Sequence, residues 1–150
     1  MSAEDRCELP AANASPTEIA GLLNSARRIA VVGLSPRPDR PSYGVAQYLK
    51  AAGYRIIPVN PNATEVLGER AFASLDDFPG SVDIVEIFRK PEDVPPVVEA
   101  AIRKGAKAVW MQTGIVHNAA AATARAAGLT VVMDRCMMVE HRRLHGSQVG

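Results

Sequence analysis

Residues 29–42 read IAVVGLSPRPDRPS, an apolar run that ends at a glycine and passes into a loop rich in proline and arginine. The run from Ile29 to Val32 is apolar at every position, which is typical of a parallel strand buried on both faces. Gly33 permits a tight turn directly after the strand. A buried strand followed by such a turn predicts the first unit of an α/β fold.

Four more apolar runs follow, and helical patterns with terminal glycines separate most of them. The predicted strands are 29–33, 54–59, 82–88, 106–111 and 129–133, and the predicted helices are about 15–26, 43–52, 92–104 and 118–127. A short strand near 69–72 and a helical turn near 74–77 complete the pattern. This alternation predicts one Rossmann-like, doubly wound α/β domain over 15–150, with a mainly parallel sheet of five or six strands after a disordered tail at 1–14.

The composition excludes several classes of protein. With 150 residues, 47% hydrophobic and a net charge of +1, the chain is typical of one globular domain. Its basic pairs, 27–28 and 142–143, are too short for the basic stripe of a nucleic-acid-binding protein. No apolar run approaches the roughly 20 residues of a membrane helix. Two distant cysteines predict neither disulfides nor a metal site, which favours a reducing cytoplasm.

The loop after the first strand carries the groups that a diphosphate needs. Ligands of open α/β sheets bind beyond the carboxyl ends of the strands. Ser35 offers a hydroxyl to a phosphate oxygen, and Arg37 and Arg40 add two planar cations. Ser42 is expected at the N-cap of the next helix, whose amino end attracts anions. We therefore predict a diphosphate site, with a surface loop of solvated arginines as the alternative.

The same loop departs from the nicotinamide dinucleotide pattern. The Gly-x-Gly-x-x-Gly motif would place glycines where Ser35 and Pro38 stand. The second strand ends in Val59–Asn60, without the acidic residue that binds ribose hydroxyls. NADP binding through Arg37 or Arg40 remains an alternative, although no hydride acceptor site or catalytic acid is evident.

Five blocks of sequence carry a family resemblance over about residues 15–144. They are IAVVGLSP (29–36) with RPSYG (40–44), PVNP (58–61), FRKPE (88–92), VWMQTGI (109–115) and VVMDRCMMVEH (131–141). In these blocks the chain resembles small coenzyme A-binding proteins related to the N-terminal domain of the succinyl-CoA synthetase α-subunit.

The resemblance implies binding of coenzyme A or an acyl-CoA. The first loop would hold the diphosphate, the turns after Val59 and 85–88 would flank the adenosine, and 112–115 would face the pantetheine arm. We expect no ligase activity, because no room follows Leu144 for the synthetase's catalytic domain. The implied cofactor-binding residues are Gly33, Leu34, Ser35, Arg37, Arg40, Ser42, Tyr43, Val59, Asn60, Pro61, Phe88, Arg89, Lys90, Gln112, Gly114, Ile115 and Cys136.

Other reactive residues have two interpretations each. Cys136 could form a mixed disulfide with the coenzyme's thiol, or be an inert buried cysteine. Glu86, inside a predicted strand, could pair with an arginine or point at the strand's exposed end. His141 and His145 have the i, i+4 spacing of a helical metal pair, but a solvated basic helix end is expected because no third ligand is evident. His117 is expected to cap a helix or lie at the surface.

Three functional hypotheses follow. The first is a module that binds coenzyme A or an acyl-CoA without catalysis. The second is an enzyme, either an NADP-dependent reductase or a thiol- or acyl-transferring protein that uses Cys136. The third is a coenzyme A-responsive subunit that reports to a protein partner. A homodimer is also compatible with the sequence, whereas nucleic acid and membranes are not expected as partners.

Overall fold

The predicted strands form one parallel sheet in the computed structural model, which describes residues 8–146. The chain forms β1 (Arg28–Val32), β2 (Arg55–Val59), β3 (Glu65–Val66), β4 (Glu69–Arg70), β5 (Ile84–Ile87), β6 (Ala108–Met111) and β7 (Thr130–Val132). Five of these strands make the sheet in the order β2-β1-β5-β6-β7, while β3 and β4 form a small antiparallel pair. The predicted α/β fold with a parallel sheet of five strands is confirmed.

Helices cover both faces of the sheet. They are α1 (Pro16–Ser25), α2 (Pro41–Ala51), α3 (Val94–Lys104), α4 (Asn118–Ala126) and α5 (Met137–Gly146). α1, α2 and α5 pack on one face over Ile29, Val31 and Trp110. α3 and α4 pack on the other face over Val85 and Val109. Alternate residues of each strand face opposite layers, and the buried positions of the central strands are apolar on both sides apart from Glu86 of β5.

Local sequence signals explain most helix boundaries. α1 begins at a capping box, in which the Glu18 amide donates to Ser15 Oγ and the Glu18 carboxylate accepts from the Ser15 amide. α2 begins earlier than expected, and the prediction that Ser42 is its N-cap is wrong. Arg40 is the N-cap residue, because Pro41 has the fixed φ and missing N–H that suit the first helical position.

At both outer strands of the sheet, other parts of the chain hydrogen-bond to some of the edge backbone groups. Beside β2, the Phe72 amide donates to the Pro58 carbonyl at 3.0 Å. Beside β7, the Ala14 amide donates to the Val131 carbonyl at 3.2 Å, and the Asn13 carboxamide exchanges two 2.9 Å hydrogen bonds with the Met133 backbone. The expected disordered tail is therefore wrong for residues 8–14, which pack on the domain, while residues 1–7 lie outside the described range.

Two ionisable side chains differ from expectation. Glu86 is fully buried in β5, between Val31 of β1 and Trp110 of β6, and its carboxylate oxygens have no hydrogen-bond partner. Neither expected environment for Glu86 is present, and burial raises the pKa of its carboxyl to about 8.

His141 is not solvated, because it packs between α5 and α2 and its Nδ1 lies 2.9 Å from the Tyr48 hydroxyl. Burial, together with nearby His145, lowers the pKa of His141. His117 caps α4 by accepting from the Ala120 amide at 3.0 Å, as expected. Within residues 8–146, no helix is both long enough and apolar enough to cross a membrane.

Candidate functional site

The candidate site lies where β1 and β5 run side by side and their connections diverge. α2 follows β1 on one face of the sheet, whereas α3 follows β5 on the other. A crevice forms at such a switch point beyond the carboxyl ends of the two strands. Gly33 and Phe88 meet there, next to the 2.8 Å hydrogen bond from the Phe88 amide to the Val32 carbonyl. The geometry therefore matches the position expected for a ligand site of this fold.

The loop after β1 is held in shape by its own hydroxyl groups. The Ser35 amide donates to Ser42 Oγ at 3.0 Å, and the Arg37 amide donates to Ser35 Oγ at 3.1 Å. Ser42 is buried, so its side chain braces the loop from within. Arg37 and Asp39 form an exposed ion pair at 3.4 Å, while Arg40 forms no ion pair with any residue described. Arg40 therefore remains available to an anion.

Asn60 supports the loop from the neighbouring strand. Its Nδ2 donates to the Leu34 carbonyl at 2.9 Å, and its Oδ1 accepts from the Asn62 amide at 2.8 Å. The Leu34 side chain is fully buried and packs in the core. Both residues thus help to position the first loop, and their predicted contacts with a cofactor remain predictions.

A first cavity of about 730 Å³ opens on the α2 and α5 side of the crevice. Five of the predicted residues, Phe88, Arg89, Gln112, Ile115 and Cys136, lie in its wall. The helices and the β6 loop contribute residues that the sequence analysis did not select, namely Pro41, Gly44, Val45, Thr113 and Met138. The wall is mostly apolar, and of its described residues Arg89 alone is charged.

A second cavity of about 300 Å³ lies on the α3 side of the crevice. It is bounded by Val59 of β2, by Ser74 and Asp76, and by Arg103 of α3. The Arg103 guanidinium donates to Asp76 at 2.9 Å, and this hydrogen bond lowers the pKa of the Asp76 carboxyl. This second cavity is the more polar of the two.

Arg89 lies in the walls of both cavities. It forms no ion pair with any residue from 8 to 146. One side chain thus places an uncompensated positive charge between an apolar cavity and a more polar one. Because fixed cations in a crevice attract anionic groups, a ligand that spans both cavities would carry its negative charge near Arg89.

Two hydrogen bonds hold the β6 and β7 loops at the first cavity. The Gly114 amide donates to Asp134 Oδ1 at 2.7 Å, and the Trp110 indole donates to the Arg135 carbonyl at 2.8 Å. The second bond fixes the backbone just before Cys136, which is half-buried. Asp134 adopts a φ of 56°, and it was not selected from the sequence although aspartate tolerates this left-handed conformation.

The remaining predicted residues surround these two cavities without lining them. They are Gly33, Ser35, Arg37, Arg40, Ser42 and Tyr43 of the first loop, Asn60 and Pro61 after β2, Lys90 after β5, and Gly114 after β6. Their binding roles remain predictions.

Comparison with known proteins places the fold among coenzyme A-binding domains. A family model described as "CoA binding domain" matches residues 27–142. The chain is 45% identical over 129 residues to the "Uncharacterized protein YneT" of Bacillus subtilis (strain 168), which covers 86% of this chain and 96% of that protein. A solved structure of a hypothetical protein from Pyrococcus horikoshii OT3 superposes with a TM-score of 0.87 at 41% identity, covering 93% of this chain and 98% of that one.

A more distant similarity reaches a much longer enzyme. The "Acetate--CoA ligase [ADP-forming] II" of Archaeoglobus fulgidus is 34% identical over 91 residues. That match covers 59% of this chain but 14% of the ligase.

Proposed function

The chain belongs to the CoA-binding domain family, and on that premise we propose that it binds coenzyme A or an acyl-CoA without catalysing a reaction itself. The observation that carries the proposal is the position of Arg89, which borders both cavities and has no ion-pair partner among residues 8–146. The ligase relative contains the matching segment as a small part of its length, so its activity is not assigned to this chain.

The two cavities differ in the way that the two ends of coenzyme A differ. Coenzyme A has a nucleotide at one end, a diphosphate in the middle and a long uncharged arm at the other. The apolar first cavity suits the uncharged arm, and the more polar second cavity suits the nucleotide. Arg89 supplies positive charge at the junction, and Arg40 precedes Pro41 of the first cavity's wall. Planar guanidinium groups bind phosphate well.

The amino end of α2 adds to this anion site. The Ser42 amide lies in the first turn of the helix and makes no hydrogen bond within the described range. Amide groups at a helix N-terminus carry partial positive charge and donate to phosphate oxygens. Gly33, which carries no side chain, lets the first loop leave β1 directly against the Phe88 carbonyl.

Isothermal titration with coenzyme A, dephospho-coenzyme A and NADPH tests the proposal. We expect a Kd for coenzyme A well below about 1 mM, and about tenfold weaker binding of the other two ligands. Dephospho-coenzyme A lacks one phosphate, and NADPH lacks the uncharged arm that the first cavity would enclose. Millimolar or weaker binding of coenzyme A, or tighter binding of NADPH, would overturn the proposal.

A further inference from the structure

The carboxamide of Gln112 is fixed in the wall of the first cavity. The side chain is 4% exposed, and its Oε1 accepts a 2.9 Å hydrogen bond from the Met137 amide at the start of α5. An N–H donor requires the oxygen as its partner, so this bond decides which way the amide points.

The other carboxamide atom, Nε2, has no hydrogen-bond partner in the described part of the chain. Nε2 is not fully enclosed by protein, because among the described residues the fully enclosed side-chain atoms without a hydrogen-bond partner are the two carboxylate oxygens of Glu86. Gln112 borders the first cavity, and this position indicates that the accessible Nε2 opens onto that space. An N–H donor with no protein acceptor at the wall of a cavity is available to a ligand group that accepts a hydrogen bond.

The acceptor is more consistent with a carbonyl oxygen than with a thiol. A thiol sulfur is a weak acceptor, whereas a carbonyl oxygen accepts strongly. The uncharged arm contains two amide carbonyls in both free and acylated coenzyme A. A thioester adds a carbonyl at the end of the arm, where free coenzyme A carries a thiol, so this terminal carbonyl is the acceptor that distinguishes the two ligands.

The surrounding wall favours a hydrocarbon chain beyond that carbonyl. Val45, Phe88, Ile115 and Met138 present apolar surface to the cavity, and burying an apolar chain against them is favourable. An acyl chain that ends in a carboxylate would need a cationic partner in this cavity. Arg89 is the sole charged side chain among the described wall residues, and the proposed function already assigns Arg89 to phosphate.

We infer that the first cavity selects acyl-CoA thioesters with a short, uncharged acyl chain over free coenzyme A, and that Gln112 Nε2 donates to the thioester carbonyl oxygen. This inference rests on the proposed function, which requires only that coenzyme A binds. Gln112 then acts as a specificity-determining residue.

Four ligands titrated into the wild-type protein separate the contribution of the thioester carbonyl from that of the hydrocarbon chain. They are coenzyme A, butyryl-CoA, succinyl-CoA and S-butyl-coenzyme A. The last is a thioether with the same chain and no carbonyl. We expect butyryl-CoA to bind about tenfold more tightly than coenzyme A, and about fivefold more tightly than the thioether. Succinyl-CoA should bind more weakly than butyryl-CoA, because its carboxylate would lose water among apolar side chains.

Two variants then test the role of Gln112. Gln112→Glu keeps an oxygen for the Met137 amide but lacks the NH₂ group, and Gln112→Met replaces the amide with an apolar chain of similar length. In both variants we expect the ratio of the thioether and butyryl-CoA Kd values to fall to about one. Gln47→Glu, the same change at an exposed position of α2, should keep the wild-type ratio.

Each result has one meaning. If none of the four ligands binds, the proposed function fails. If coenzyme A binds and butyryl-CoA binds no more tightly, the inference alone is overturned. Equal affinity for butyryl-CoA and the thioether in the wild type, a measurement that needs no variant to fold, overturns the role of the carbonyl. A succinyl-CoA affinity equal to that of butyryl-CoA overturns the preference for an uncharged chain.

Discussion

A Cβ atom on Gly33 would lie 2.3 Å from the carbonyl oxygen of Phe88. The backbone of Gly33 also has a φ of +90°, a conformation that residues with side chains rarely adopt. The glycine thus allows the first loop to leave β1 directly against the end of β5.

Replacing this glycine should be costly. We expect Gly33→Ala to lower the free energy of unfolding by about 2 kcal/mol or more, because both the φ and the contact with backbone oppose a side chain. Urea denaturation followed by circular dichroism measures the change. Gly21→Ala is the matched control: it lies in α1 with open space around it, so the substitution should stabilise the protein by about 0.5 kcal/mol. Equal stability of Gly33→Ala and wild type would contradict this account.

Arg89→Ala should weaken coenzyme A binding by about tenfold to a hundredfold, since it removes the unpaired cation between the cavities. The loss should shrink as salt concentration rises, because salt screens the same attraction in the wild type. Isothermal titration at low and high ionic strength measures both effects. Arg55 is an exposed arginine at the amino end of β2, away from the carboxyl ends of the strands where the crevice lies, so Arg55→Ala should leave the affinity unchanged. A similar loss in both variants would point to net charge rather than to the site.

Bound coenzyme A should protect Cys136 from alkylation. The thiol is half-buried and belongs to the wall of the first cavity, so a ligand in that cavity would limit reagent access. We expect iodoacetamide to modify Cys136 at least several-fold more slowly with saturating coenzyme A, measured by mass spectrometry of the Cys136 peptide. Cys7, which is outside the described residues, gives an internal rate within the same sample. Unchanged modification of Cys136 at saturation would place the ligand elsewhere.

The carboxyl of Glu86 should make stability depend on pH. Burial raises its pKa from 4.5 to about 8, so the native state holds a proton that the unfolded chain releases between these values. The free energy of unfolding should therefore fall as pH rises through this window, by about 1.4 kcal/mol per pH unit at most. Glu86→Gln should remove this slope, so its free energy of unfolding relative to wild type should rise by roughly 3 to 4 kcal/mol between pH 5 and pH 8. Parallel slopes in Glu86→Gln and wild type would show that another group titrates. Glu65→Gln, at an exposed position, is the control.

The sequence predicted the strands well because a central parallel strand is apolar on both faces, as at 29–32 and 108–111. It predicted a crevice beyond the carboxyl ends of the strands because these ends meet at one side of the sheet. The start of α2 was misplaced by a preference for serine as a cap, where Pro41 decides the boundary. α5 was not among the predicted helices, because the polar residues 140–143 leave its sequence with only a weak apolar pattern. In the structure, the contact of His141 with Tyr48 helps to hold this helix against α2.

The site was less predictable than the fold. Five of the residues selected after strands lie in the wall of the first cavity, which also includes Val45 and Met138 from the helices that follow the selected positions. The hydrogen bonds by which Asn60 and Ser42 brace the first loop were not predicted, because a polar side chain that braces a loop has the same sequence signature as one that binds a phosphate. The direction of the Gln112 amide depends on the Met137 amide, a contact that local sequence does not encode.

The backbone that covers β2 and the residues that cover β7 have a consequence for self-association. Open strand edges are templates on which further chains can add, and such addition leads to aggregation. Here Phe72 caps one side and Asn13 with Ala14 caps the other, so a second molecule finds no free row of strand amides at these positions. Deleting residues 8–14 would leave the outer edge of β7 free to pair with the strands of other molecules, and fibrillar or amorphous precipitation should follow.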